Sequence, residues 1–191
     1  MHEGDDVFRG WPEARLAELG LGDALADWVL ERGSMTVRLQ GRYPSVEVVV
    51  ERQDLVPAPA DEAASLGVPR GAPVWLRQVR LHCRGELLLQ ARTVVPGWAE
   101  GNAWHELQHL GTRPLGDLLF RMPDIERSPF ELAWVSRWPD AAGALHDGPP
   151  RIARRCLYRR RGWPLLLTER LWLPGVDDGA SAGAARPAAG Q

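Results

Sequence analysis

Apolar positions recur along this chain at two spacings, one helical and one of period two. Leu25, Trp28 and Val29 fall at helical intervals inside a helical region over about 11–31, which is interrupted near Gly20 to Gly22 and stopped at Gly33. Ser34-Met35-Thr36 opens a predicted strand toward Leu39. Val46, Val48 and Val50 alternate with Glu47, Val49 and Glu51 and predict a half-buried strand. Residues 57–73, rich in Pro, Gly and acidic side chains, predict a connection with a short helix. Two strands, 74–82 and 86–95, predict a hairpin around Cys83-Arg84-Gly85. Residues 98–110 predict a helix stopped by Gly111, and Pro114 stands near the start of another that runs through about Phe120. Further strands are predicted at 130–138, 152–160 and 163–173, with 139–150 as a loop. From Gly175 onward the chain is rich in Gly, Ala and Pro and predicts a mobile tail. The expected organisation is one domain over 1–174 and a tail over 175–191. Clustered strands predict an α+β fold, a single antiparallel β-sheet with helices packed on one side.

Two charges interrupt this pattern. In Trp75-Leu76-Arg77-Gln78-Val79-Arg80-Leu81, period two places Arg77 on one face with Trp75, Val79 and Leu81. In the segment from Leu165 to Leu173, Glu169 shares a face with Leu165, Leu167, Leu171 and Leu173. A buried charge needs a partner or a task. If both faces line one cavity, that cavity is apolar, with a guanidinium and a carboxylate, and suits a small, planar, acidic ligand. The plainer alternatives are an Arg77 whose stem crosses the sheet edge to water, and a Glu169 paired structurally with an arginine on a neighbouring strand.

Composition narrows the function classes. The chain has 191 residues, enough for one sizeable core. Its formal net charge of -2 gives no reason to expect nucleic-acid binding. Arg151, Arg154, Arg155 and Arg159 to Arg161 form a basic run whose strand-like spacing predicts a solvated face. There is no lysine, so arginine carries all the fixed side-chain positive charge. Cys83 and Cys156 are too few and too far apart for a disulfide scaffold or a structural zinc site. The start lacks the regions of a secretion signal, and no apolar run approaches the roughly 18 residues of a membrane span. A cytoplasmic protein without stable membrane insertion is expected.

His105-Glu106-Leu107-Gln108-His109 matches the zinc-peptidase pattern HExxH. On an α-helix the two histidines would share a face and Glu106 could activate a zinc-bound water. No adjacent extension supplies a third ligand, and nothing in the spacing of Glu126, Glu131 or His146 recommends them. A polar helix face is the expected reading, with no metal bound. Thr112-Arg113-Pro114-Leu115-Gly116 carries another signal, because the N–H of Leu115 would be unpaired at a helix start, where an anion is favoured. Met35 offers a similar amide where the first helix gives way.

At these residues a family resemblance becomes specific. The blocks Leu30-Glu31-Arg32-Gly33-Ser34-Met35-Thr36, Trp75-Leu76-Arg77, Ala91-Arg92-Thr93-Val94-Val95-Pro96, Pro114-Leu115-Gly116 and Pro164-Leu165-Leu166-Leu167-Thr168-Glu169 resemble, in order, those of the chorismate pyruvate-lyases of ubiquinone biosynthesis. The resemblance implies a single antiparallel sheet with helical flaps enclosing an internal site. It implies a carbon–oxygen lyase that converts chorismate to 4-hydroxybenzoate and pyruvate without a cofactor, as a monomer. The ring carboxylate would meet Arg77 and the amides of Met35 and Leu115, Glu169 would address the ring hydroxyl, and Arg92 would serve the departing enolpyruvyl group. An enclosed site that fits the product equally well implies product inhibition. Ala91, where glycine is common, and Arg113, where less bulk is common, depart from the family pattern. Two other classes compete: a noncatalytic aromatic-acid sensor of the same broad fold, and a zinc peptidase using His105 and His109.

Overall fold

A computed structural model describes residue 8 and residues 10–176. Most of the expected tail, residues 177–191, lies outside the described residues. Eight strands form one sheet in the order β1-β6-β7-β8-β4-β3-β2, with β5 paired to β7 off that path. They are β1 (Trp11–Pro12), β2 (Glu47–Pro57), β3 (Pro73–Cys83), β4 (Glu86–Pro96), β5 (Ile125–Arg127), β6 (Glu131–Pro139), β7 (Leu145–Arg160) and β8 (Trp163–Leu171). All pairings are antiparallel. The helices are α1 (Asp23–Val29), α2 (Met35–Arg42), α3 (Ala60–Leu66) and α4 (Leu115–Leu119), with 3-10 helices at Glu13–Leu19 and His105–His109.

Two tight turns set the register of the central strands. Cys83 pairs with Glu86 across Arg84-Gly85, and Arg160 pairs with Trp163 across Arg161-Gly162. Both turn residues have positive φ in each case (51° and 84°, then 50° and 81°), the geometry that matches the twist of a two-residue hairpin. With β3, β4, β7 and β8 so registered, alternate residues divide cleanly between two faces. Trp75, Arg77, Val79, Ala91, Val95, Leu165, Leu167 and Glu169 point to the inner face. Leu76, Gln78, Arg92, Val94, Leu166 and Thr168 point to the outer one.

The inner face carries the large core. Trp28 and Val29 of α1, Met35 and Leu39 of α2, Trp104, Leu107, Leu110, and Leu115 and Leu119 of α4 pack with it. Trp98 stacks on Trp75, with ring centroids 4.2 Å apart and planes within 7°. On the outer face, Ala63 and Leu66 of α3 pack on Leu76, Val94 and Leu166. The expectation that helices cover one side therefore needs correction: α3 covers the opposite face.

Four local expectations also change. The segment from Ser34 is helix, not strand, because the Ser34 side chain accepts a hydrogen bond from the Val37 N–H and caps α2. Over 98–110 only His105–His109 is helical, as a 3-10 helix. Gly101 takes φ +94°, and Asn102 bonds the Pro96 and Gly97 carbonyls and the Trp104 N–H, which fixes an irregular path. Strand β7 begins at Leu145, inside the expected 139–150 loop. Its Pro149 and Pro150 sit at a register shift against β6 and ahead of the first β8 partner at Ala153, so no ladder bond is lost there. The basic run is a solvated face only in part: Arg159 and Arg161 are exposed, but Arg154 and Arg155 are both buried, because β7 is a central strand flanked by β6 and β8.

Candidate active site

Two cavities lie back to back across the sheet. The inner one is bounded by β3, β4, β7 and β8 and roofed by the N-terminal ends of α2 and α4. Its lining includes Met35, Arg77, Leu115, Arg154, Tyr158 and Glu169. It is nearly shut, with about 50 Å³ of room, against roughly 300–1,000 Å³ for typical ligand pockets. The outer cavity is larger, about 470 Å³, and is lined in part by Asp61, Glu62, Arg92, Trp138, Arg155 and Thr168. Size alone favours the outer cavity. Charge favours the inner one.

Arg77 decides the matter. Its residue is 2% exposed, and among the described residues no carboxylate pairs with it. Its Nη2 donates to the carbonyls of Gly111 (2.8 Å) and Arg113 (3.3 Å), while its buried Nε has no partner. Burial lowers its pKa to about 10, because desolvation penalises the charged form. The two carbonyls belong to the segment that leads into Pro114, so the same contacts bring Arg77 beside the start of α4.

Each helix start contributes one amide. Met35 and Leu115 are the first residues of α2 and α4, so their N–H groups have no intrahelical acceptor. The two helix starts touch through Gly116 and Ser34. A Cβ added at Gly116 would lie 2.4 Å from Ser34 Oγ and 2.9 Å from Ser34 Cβ. Glycine is therefore what lets the two helix starts approach this closely.

Glu169 stands at the other end of the cavity. Arg77 lies opposite Thr93 and Glu169 opposite Ala91, so two strand spacings and a two-residue offset separate them, about 12 Å between Cα atoms. With both side chains turned inward, they stand on either side of the small side chain of Ala91. Glu169 Oε2 accepts from Arg154 Nε at 2.6 Å. Glu169 thus lines the cavity and also makes the anticipated ion pair with an arginine on a neighbouring strand. Tyr158 completes this end, and burial pushes its hydroxyl pKa up, so it stays a neutral phenol.

Arg92 is not in this group. It points to the outer face, where its Nε and Nη2 meet Glu62 Oε1 and Oε2 at 2.5 and 3.1 Å. The expectation that it lines the site with Arg77 fails because residue 92 has the opposite strand parity to Ala91 and Thr93. The outer charges are already paired, Arg155 with Asp61 as well as Arg92 with Glu62. Arg92→Ala is expected to destabilise the fold by about 3–5 kcal/mol, because it leaves Glu62 buried and alone. Thermal unfolding of that variant beside Arg92→Met/Glu62→Met checks this, with the double variant recovering most of the loss.

The HExxH residues form no joint site. In a 3-10 helix residues four apart are about 120° apart around the axis, so His105 and His109 diverge. His105 packs against Trp98 at 5.1 Å and contacts Gln108. His146 is bonded to Asp140. Among the described residues no three His, Cys, Asp or Glu side chains group as metal ligands. Arg154 and Tyr158 are the site residues that the sequence reading missed. Their signal was the shared parity of 154, 156 and 158 within a strand flanked on both sides.

A family model described as chorismate lyase matches residues 14–177. Proteins described as probable chorismate pyruvate-lyases are similar: one from Thiobacillus denitrificans is 38% identical, covering 90% of this chain and 96% of its own. One from Hydrogenovibrio crunogenus is 35% identical, covering 76% and 80%. Among solved structures, the C-terminal domain of PhnF aligns with a TM-score of 0.50 at 20% identity, covering 75% of this chain and 86% of that one. The effector domain of PhnF from Mycobacterium smegmatis aligns with a TM-score of 0.50 at 17% identity, covering 74% and 90%. These two likenesses establish a shared fold.

Proposed function

The chain belongs to the chorismate lyase family, and we propose that it converts chorismate to 4-hydroxybenzoate and pyruvate in the inner cavity. The observation that carries this placement is the buried, carboxylate-free Arg77 beside the amides of Met35 and Leu115. The ring carboxylate binds Arg77 and the two amides. The C4 hydroxyl donates to Glu169.

The reaction removes the C4 proton and breaks the bond from C3 to the ether oxygen. The electron pair of the C4–H bond becomes the new C3–C4 double bond and completes an aromatic ring. The departing enolpyruvyl group takes up a proton at its methylene carbon and leaves as pyruvate. Aromatisation supplies the drive, so the chain's task is to orient substrate and stabilise developing charge. As the ring becomes aromatic its hydroxyl becomes phenolic and more acidic. The hydrogen bond to Glu169 then strengthens on the way to the transition state, which is where binding accelerates a reaction. Arg92 supports the site from behind by fixing β4 to α3 through Glu62.

One catalytic domain extends to residue 174, and the protein acts as a monomer in the cytoplasm. Two buried free thiols, Cys83 and Cys156, accord with a reducing compartment. No helix among the described residues is long and apolar enough to cross a membrane.

The test is incubation with chorismate in the presence of a chelator, with pyruvate and 4-hydroxybenzoate measured separately. Equal release of both is expected, with initial rates falling as 4-hydroxybenzoate is added, because the product keeps the carboxylate and hydroxyl that the site holds. Folded protein that releases neither product would sink the reading.

A further inference from the structure

Arg154 belongs to the inner cavity and is assigned no task in the steps above. Its guanidinium is buried and makes three kinds of contact. Nε donates to Glu169 Oε2 at 2.6 Å. Nη1 donates to the carbonyls of Glu31 (2.6 Å) and Val29 (3.3 Å). The guanidinium carbon stands over the Phe130 ring, 4.8 Å from its centroid. Val29 ends α1, and Glu31 lies in the short link that leads to Ser34 and Met35 at the start of α2. One side chain therefore joins the group facing the ligand hydroxyl to the segment carrying an amide that faces the ligand carboxylate.

Glu169 needs such a partner. It stands among Leu167, Leu81, Leu89 and Ala91 on the cavity wall, and its side chain would otherwise be free to choose between rotamers. Arg154 occupies Oε2, while Oε1 has no hydrogen bond from the described residues. The pair thus leaves one oxygen for a ligand and fixes the other.

Resting on the lyase reading above, we propose that Arg154 is a positioning residue of this site: anchored on the Val29 and Glu31 carbonyls, it turns Glu169 toward the substrate hydroxyl. Discrimination between a ring with a 4-hydroxyl group and one without it depends on this arginine through its bond to Glu169.

The experiment compares 4-hydroxybenzoate with benzoate, which lacks only the hydroxyl. In Arg154→Met the affinity for 4-hydroxybenzoate falls about ten- to a hundredfold, the range for a hydrogen bond to a charged group, while benzoate affinity changes less than about twofold. With chorismate, kcat falls more than KM rises, because the Glu169 bond strengthens in the transition state. Arg154→Lys, which keeps the charge, restores part of the 4-hydroxybenzoate preference. Equal weakening of both ligands, or no change in their ratio, would overturn the proposal.

Where Arg154→Met alone fails to fold, Arg154→Met/Glu169→Gln removes both charges and leaves no lone buried ion. Its preference for 4-hydroxybenzoate should match that of Glu169→Gln alone, since Arg154 acts only through Glu169. A further drop in the double variant would equally overturn the idea. A wild-type protein that releases no product from chorismate would instead count against the lyase reading, so the two failures are distinguishable.

Discussion

Arg77→Met is expected to abolish most activity while leaving the protein more stable, and these opposite signs come from one cause. In the wild type a guanidinium is held in the core beside two carbonyls and no carboxylate. Burial lowers its pKa to about 10 from 12.5, a penalty of order 3 kcal/mol at 1.4 kcal/mol per unit. Because the folded-state value lies below the unfolded one, the penalty is in full force below pH 10. It is relieved only as the pH rises through that value. Methionine of similar length removes the charge and packs against Trp75, Val79 and Leu81, so a rise of several degrees in Tm is expected. The same change deprives the substrate carboxylate of the one buried cation at that end among the described residues. Loss of such a pair costs about 3–5 kcal/mol, or a hundred- to several-thousandfold in kcat/KM. Thermal unfolding and steady-state kinetics on the same preparation check both halves. A variant that is both inactive and much less stable would mean that Arg77 holds the fold, not the substrate.

The second large effect is expected from a single methyl group. Gly116→Ala places a Cβ 2.4 Å from Ser34 Oγ, closer than any real contact, so the starts of α2 and α4 must separate. The amides of Met35 and Leu115 then move apart. A displacement of this kind lowers kcat/KM by about ten- to a hundredfold and weakens 4-hydroxybenzoate in parallel. Gly41→Ala supplies the control: it lies in the same helix α2, with nothing within 4 Å of an added Cβ. It should leave activity intact and stabilise by about 0.5–1 kcal/mol. Ser34→Gly combined with Gly116→Ala should recover part of the lost activity. Normal kinetics for Gly116→Ala alone would show that the helix starts are not the anion site.

Arg77 and Glu169 were legible in the sequence because a charge within an alternating apolar segment has only one face on which to appear. The hairpin around Arg84-Gly85 was legible from the turn residues between its two strands. Met35 was singled out for its amide but placed on the wrong element, since the β-branched Thr36 and Val37 suggest a strand. The competing signal was Ser34, whose cap on the Val37 N–H settles the segment as helix. Arg92 was misplaced by a parity that can be read only relative to its neighbours: Ala91 and Thr93 face the inner cavity, so residue 92 cannot. Arg154 was hidden by its company. In a run of six arginines nothing local distinguishes the one that meets Glu169 from those that reach solvent, and only the central place of β7 in the sheet buries it.

The nearly shut inner cavity has a consequence for timing. Chorismate and 4-hydroxybenzoate must wait for the same separation of α2 from α4, so both are admitted at the pace of the protein's own breathing and not at the pace of encounter. Their association rate constants then converge on one value, well below the usual range for diffusion-driven docking. Whatever selectivity the enzyme has between them is expressed in residence time. The lock, in this protein, is on the way out.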